Sequence, residues 1–234
     1  MYRNTRFGDL MKGLSRGSFE KIVSGHEADK HSKGLRCWDQ LTAMVYAQLT
    51  GSRSLRELEA GFNQQEAHHY HLGTRPIRRS TLSDANAKRS CDVFSDACNL
   101  LLSQANSALK KEMLDLLYLI DSTPIPLKGL GYDDWTKESG NGRTQGLKVH
   151  MMIESNAQVP VYAKISAANV NDIDIGKKIP LKAKATYVFD KGYYDYNWWY
   201  RIHQQGARFV TRFKKNAAIK IIFFIAHQFC KPQS

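Results

Sequence analysis

Leu116-Leu117-Tyr118-Leu119-Ile120-Asp121-Ser122-Thr123 is an apolar run that ends on a carboxylate, and Thr186-Tyr187-Val188-Phe189-Asp190-Lys191-Gly192 repeats that design 69 residues further on. A short, near-continuous apolar run predicts a strand buried on both faces. An Asp at the end of such a strand is costly unless it emerges at a place that uses its charge. One such Asp alone is most simply a turn or helix cap. Two of them point instead to a shared divalent-metal site with Asp121 and Asp190 as ligands.

The surroundings extend this strand pattern. From about Met113 the first strand is followed by a Gly- and Asp-rich loop over 129–142. Leu147–Ile153 and Val159–Ile165 then form two strands across the polar turn Ser155-Asn156-Ala157, which predicts an antiparallel hairpin. Asn171 to Lys178 reads as a short helix, Thr186 to Asp190 as a strand, Tyr194 to Gln205 as a helix and Ala207 to Lys214 as a last strand. Three meandering strands, then helix, strand, helix and strand, is the ribonuclease-H-like α/β order. The fold class expected is an incomplete ribonuclease-H-like mixed sheet preceded by a small all-helical domain.

The preceding residues, through about Lys111, are helical in pattern. Leu41, Met44, Val45 and Leu49 recur at helical spacing, Gly51 interrupts, and Ser54-Leu55-Arg56-Glu57 reads as a capping box opening a helix to about Phe62. Two helices about a glycine turn resemble a helix-turn-helix, a pattern that is often only structural. Asp92 to Ala108 makes a further helix. Between them lies the most basic local segment, Arg75-Pro76-Ile77-Arg78-Arg79-Ser80-Thr81-Leu82-Ser83-Asp84, with Lys88 and Arg89 after it. Ser80 or Ser83 is expected to cap a helix whose free amides, beside arginines, suit phosphate. Arg75, Arg78, Arg79, Lys88 and Arg89 are therefore the candidate DNA-backbone contacts, against the blander reading of a solvated basic loop. His68, His69 and His71 have only Glu66 near them and no cysteine at ligand spacing, so they read as a polar loop rather than a structural metal site.

A net charge of +12 on 234 residues, with pI about 9.5, favours an anionic polymer partner, nucleic acid before acidic membrane. The excess is distributed: through Lys111 there are 17 Lys and Arg against 11 Asp and Glu. Cys37, Cys91, Cys98 and Cys230 show no CxxC pair and no secretory leader precedes them, which predicts reduced thiols and no disulfide framework. The apolar stretch Ile219 to Ala226 is interrupted by Lys220 and is short of the roughly 20 residues of a membrane span, so a cytoplasmic, nucleoid-associated protein is expected.

Four stretches together resemble the DDE transposases of bacterial insertion sequences, in the group with a β-strand insertion before the final catalytic Glu. They are Ile120-Asp121-Ser122-Thr123, Lys148-Val149-His150, Ala168-Asn169-Val170-Asn171-Asp172 and Phe189-Asp190-Lys191-Gly192-Tyr193-Tyr194. The resemblance implies that Asp121 and Asp190 are the first two acids of the catalytic triad, that Mg²⁺ or Mn²⁺ is the cofactor, and that the partner is double-stranded DNA at the transposon ends. It also implies a DNA-binding region over 1–112 and a catalytic domain over 113–217.

The third acid of that family is a Glu in a Tyr-x2-Arg-x3-Glu-x6-Lys signature on a downstream helix. No Asp or Glu follows Asp195 through the remaining 39 residues, and 218–234 reads as an unrelated tail. The expectation is a truncated transposase that does not transpose. Glu154 and Asp172 are the remaining acids considered as substitutes, but neither is on the expected helix. The competing readings are a non-enzymatic DNA-binding polypeptide that pairs with and inhibits intact transposase, or forms a homodimer, and a nuclease working with two carboxylates alone.

Overall fold

The computed structural model describes residues 6–109, 116–127, 146–214 and 217. The predicted 129–142 loop, the segment 219–226 and Cys230 lie outside the described residues. The chain divides into two compact units, Met1–Glu112 and Met113–Ser234.

The first unit is helical: α1 (Arg6–Met11), α2 (Arg16–Gly25), α3 (Cys37–Thr50), α4 (Leu55–Asn63), α5 (Glu66–Leu72), α6 (Arg79–Lys88) and α7 (Asp92–Leu109). Gly51 ends α3 at φ 67°, in the left-handed region that glycine enters without a Cβ clash. Ser54 Oγ then accepts from the Glu57 amide at 3.2 Å, the capping contact expected from Ser54-Leu55-Arg56-Glu57. Glu57 reaches back one residue further than a standard capping box, to the Arg53 amide at 2.9 Å. Two apolar clusters hold the unit. Phe19, Cys37, Trp38 and Val93 join α2, α3 and α7. Ala43, Leu58, Phe62 and Leu82 join α3, α4 and α6.

The second unit is a five-stranded mixed sheet in the order β3-β2-β1-β4-β5. β1 (Leu117–Pro126), β2 (Gly146–Glu154) and β3 (Val159–Ala167) form the antiparallel meander, and β4 (Thr186–Phe189) and β5 (Arg208–Thr211) extend it in parallel from β1. Each parallel step needs a crossover, supplied by α8 (Asp172–Gly176) before β4 and α9 (Tyr196–Gln204) before β5. α9 buries Trp198, Trp199 and Ile202, and Phe189 stacks within 4.8 Å of Trp198.

This arrangement is the ribonuclease-H-like mixed α/β sheet after a helical region. One expectation about β1 is corrected. Tyr118 and Ile120 are buried, but Leu119 between them is 41% exposed, so the strand is buried on one face and follows the period-2 alternation of a pleated strand. Its apolar run reads as two-sided because the outward position is also a leucine.

Candidate active site

Parallel pairing of β1 with β4 ends on Ile120 opposite Phe189. The next residues are Asp121 and Asp190, so the two acids sit side by side where the parallel pairing stops; Asp190 follows β4, but Asp121 is not at a strand end as expected, because β1 runs on to Pro126 through its pairing with β2. Both are exposed. Asp190 is held by its own turn: it caps the 3-10 turn Lys191–Tyr193, and its Oδ1 accepts from the Gly192 amide at 2.7 Å. An Asp cap and a strand-end carboxylate are thus the same residue here.

A third acid joins them. Asp172 opens α8, and its Oδ1 accepts from Ser122 Oγ at 2.8 Å and from Lys148 Nζ at 2.9 Å. Lys148 also donates to the Val170 carbonyl at 2.9 Å and is only 16% exposed, so its ammonium is fixed. Gly192 lies against both acids: a methyl group there would come within 2.9 Å of Asp172 Oδ2 and of Asp190 Oδ1. With no side chain at this position, both oxygens can lie close to the same Cα.

Two buried side chains register the charge of this cluster. Tyr193 sits beneath it, and burial, with the charges of Asp172, Asp121 and Asp190, pushes its phenol well above the ordinary tyrosine value. Ser122 opposes that shift weakly, although the Tyr193 hydroxyl makes no hydrogen bond of normal geometry among the described residues. His150 is 1% exposed; burial lowers its pKa, Asp172 opposes that and Lys148 adds to it. Its Nε2 contacts Ser166 Oγ at 2.8 Å, while Nδ1 has no hydrogen-bond partner among the described residues and stands 3.8 Å from Asp172 Oδ1.

Asp172 and Asp190 line an open cleft of 840 Å³ with Lys148, Lys191, Arg212 and Lys214 around them and Tyr194 and Phe213 at its wall. A ring of cations about two acids suits an anionic substrate that arrives with metal ions. Lys214 also stands over the Tyr194 ring at 4.9 Å. Glu154 is not part of this site. It is fully buried at the other end of β2, opposite Tyr118, and one of its oxygens accepts from the Ala157 amide at 2.7 Å.

In the helical unit the predicted basic segment is partly redistributed. Arg78 precedes α6 without a side-chain cap, and Ser80 and Ser83 lie inside the helix, so neither serine caps it. The Arg79 amide already donates to Glu59 Oε1 at 3.1 Å, which places a carboxylate where a phosphate was expected. Arg78, Arg79 and Lys88 are exposed, and Arg75 is exposed with Nε 3.9 Å from Asp39. Arg89 is a correction. Its side chain is 11% exposed and donates to Asp29, Ser32, Gln40 and the Leu35 carbonyl, so it ties the loop before α3 to the end of α6 and does not face solvent. His68, His69 and His71 fall on α5 rather than a loop, and His69 is core, its Nε2 3.0 Å from the Phe62 carbonyl and its ring 4.6 Å from the Phe62 ring.

Asp172 and Lys148 both fall within stretches singled out from the sequence, but their pairing spans 24 residues and no local pattern announces it. The signal available was the Asn171-Asp172 dipeptide just before a short helix.

Residues 112–233, over half of the chain, match the Transposase DDE domain family, and the chain belongs to it. That range takes in 218–233, which had read as an unrelated tail. Residues 2–75 match a domain of unknown function, DUF4372. A relative named "Putative transposase y4zB", from Sinorhizobium fredii (strain NBRC 101917 / NGR234), is 43% identical over 141 residues, which cover 60% of this chain and 38% of that protein.

A DDE transposase domain implies dependence on a divalent metal ion. In chemistry the donors suit a hard cation: Asp121, Asp172 and Asp190 offer oxygen only, and an oxygen of Asp172 and one of Asp190 both lie against Gly192. As they stand, no three His, Cys, Asp or Glu residues among the described ones are grouped closely enough to hold a metal ion. No helix among them is long and apolar enough to cross a membrane.

Proposed function

We propose that this chain acts on double-stranded DNA at the ends of an insertion sequence, with Asp121 and Asp190 holding Mg²⁺ or Mn²⁺ for strand cleavage and transfer. The observation that carries this reading is the side-by-side exit of the two carboxylates where β1 and β4 stop pairing. When bound, divalent cations in such a site activate water or a 3′-hydroxyl and stabilise the leaving oxygen. Asp121 lies on the long central strand and Asp190 is locked by the Gly192 amide, so both are fixed before substrate arrives. Lys191, Arg212 and Lys214 draw the phosphate backbone to the cleft. Arg75, Arg78, Arg79 and Lys88 contact the backbone elsewhere along the DNA.

Residues 1–234 alone do not transfer strands in this reading, because the family's downstream Glu has no counterpart in the acid-free run 196–234. The same run favours a second reading, in which the polypeptide occupies DNA ends in the nucleoid, as a homodimer or paired with intact transposase, and inhibits it. The test incubates the purified chain with DNA carrying the element's ends and Mg²⁺ or Mn²⁺. Binding without nicking is expected. Metal-dependent nicking that disappears in Asp121→Ala would overturn the inactivity and leave the two carboxylates in place.

A further inference from the structure

Asp172 stands inside the carboxylate cluster, yet the pairing of Asp121 with Asp190 does not account for it. Its two oxygens are used differently. Oδ1 is bound by Ser122 and Lys148, whereas Oδ2 lies against Gly192, as Asp190 Oδ1 also does. Two carboxylates gathered against one glycine repel unless a cation or proton offsets their charge.

His150 makes a second, independent observation. Its Nε2 shares a hydrogen bond with Ser166 Oγ at 2.8 Å, which leaves Nδ1 as the other polar atom of the ring. Nδ1 is buried, has no hydrogen-bond partner among the described residues and stands 3.8 Å from Asp172 Oδ1. A buried polar atom left without a hydrogen bond marks a polar network that is not closed within the protein. Lys148 is the one cation hydrogen-bonded there among the described residues, and it is committed to Asp172 Oδ1 and the Val170 carbonyl.

We propose that Asp172 is a further carboxylate of the divalent-cation site, delivered from the start of α8, and that Lys148 is the internal cation that holds it there until a metal ion takes over. The inference rests on the proposed role of Asp121 and Asp190 and deepens it. It allows this chain to bind a divalent cation without the downstream Glu. Loading the site transfers Asp172 from the ammonium toward the ion beside Asp190, so Lys148 and the metal compete for one carboxylate.

That competition gives the test a sign. The metal-free full chain is titrated with Mn²⁺, and free Mn²⁺ is followed by its electron paramagnetic resonance signal. Asp172→Asn is expected to weaken binding at least about tenfold, the lower bound even for outer partners of metal ligands. Lys148→Gln, which breaks the same ion pair but frees the carboxylate, is expected to tighten binding. A purely structural ion pair would make both variants bind more weakly, and that result overturns the proposal. Should Asp172→Asn fold poorly, the double variant Asp172→Asn/Lys148→Gln is compared with Lys148→Gln alone; the same tenfold loss is expected, and equal affinities overturn the proposal. Unaltered affinity in Asp172→Asn together with loss in Asp121→Asn removes Asp172 and leaves the two-carboxylate reading intact. Wild-type binding that neither Asp121→Asn nor Asp172→Asn changes, or no binding at all, removes both.

Discussion

Asp121 and Asp190 each follow one member of the last bonded pair, Ile120 and Phe189, of two parallel neighbouring strands. Like charges so placed repel when no cation is present. Asp121→Asn should therefore leave the melting temperature in EDTA unchanged or slightly raised, and should abolish the increase that millimolar Mn²⁺ gives the wild type. Asp190→Asn keeps the capping oxygen, whereas Asp190→Ala should cost about 1 kcal/mol through loss of the cap. Thermal melts with and without Mn²⁺ separate these effects; a marked loss of stability in EDTA for Asp121→Asn would assign that carboxylate to structure.

Gly192→Ala places a methyl group 2.9 Å from oxygens of both Asp172 and Asp190. The carboxylates must part to admit it. A stability loss of about 1 kcal/mol is expected from the crowding, with a much larger proportional loss of Mn²⁺ affinity. Urea unfolding and Mn²⁺ titration of the same variant check the two together, and wild-type affinity would show that Asp172 and Asp190 do not share an ion.

The arginines of the basic segment separate by role. Arg89→Ala strips partners from Asp29, Gln40 and the Leu35 carbonyl and should cost about 2–4 kcal/mol in urea unfolding. Arg78→Ala/Arg79→Ala removes exposed side chains and should change stability by less than about 0.5 kcal/mol per residue. On duplex DNA the double variant should instead flatten the dependence of log K on log[salt] by about 2 if each arginine neutralises one phosphate. Fluorescence anisotropy across a salt series reads that slope, and an unaltered slope takes Arg78 and Arg79 out of the interface.

Burial holds the His150 pKa below the ordinary 6.5. The unfolded chain therefore takes up a proton that the folded protein resists, and stability falls as pH drops through 6.5 toward the folded value. The folded state is favoured most fully above pH 6.5. His150→Gln should shrink the loss of unfolding free energy between pH 7.5 and pH 5.5 relative to wild type. Equal losses in the two proteins would show that His150 is free to protonate when folded.

The strands were legible because their chemistry is local. Apolar runs ending at Asp121 and Asp190 mark both the sheet and its working edge, and Gly51 and Ser54 punctuate α3 and α4 through contacts within a few residues. What stayed hidden depends on distant partners. Arg89 reads as a surface cation because most arginines are, and only the fold brings Asp29 and Gln40 to it. Ser80 and Ser83 are sound capping residues, but α6 begins earlier, with Arg79 bound to Glu59 from another helix. His69 is taken for a loop residue until α4 supplies the Phe62 carbonyl. Asp172 enters the site through Lys148 and Gly192, which lie 24 and 20 residues away.

In the proposed function a divalent cation binds where Asp121 and Asp190 sit side by side at the end of the β1–β4 pairing. Substituting Fe²⁺ and adding ascorbate and peroxide generates hydroxyl radicals at the ion, which cut the backbone within a few ångströms of it. Cuts are predicted beside Asp121 and Asp190, suppressed by excess Mg²⁺ and absent from Asp121→Asn/Asp190→Asn. Cuts confined elsewhere, as at His68 to His71, or no Mg²⁺-sensitive cutting at all, would show that Asp121 and Asp190 hold no divalent cation.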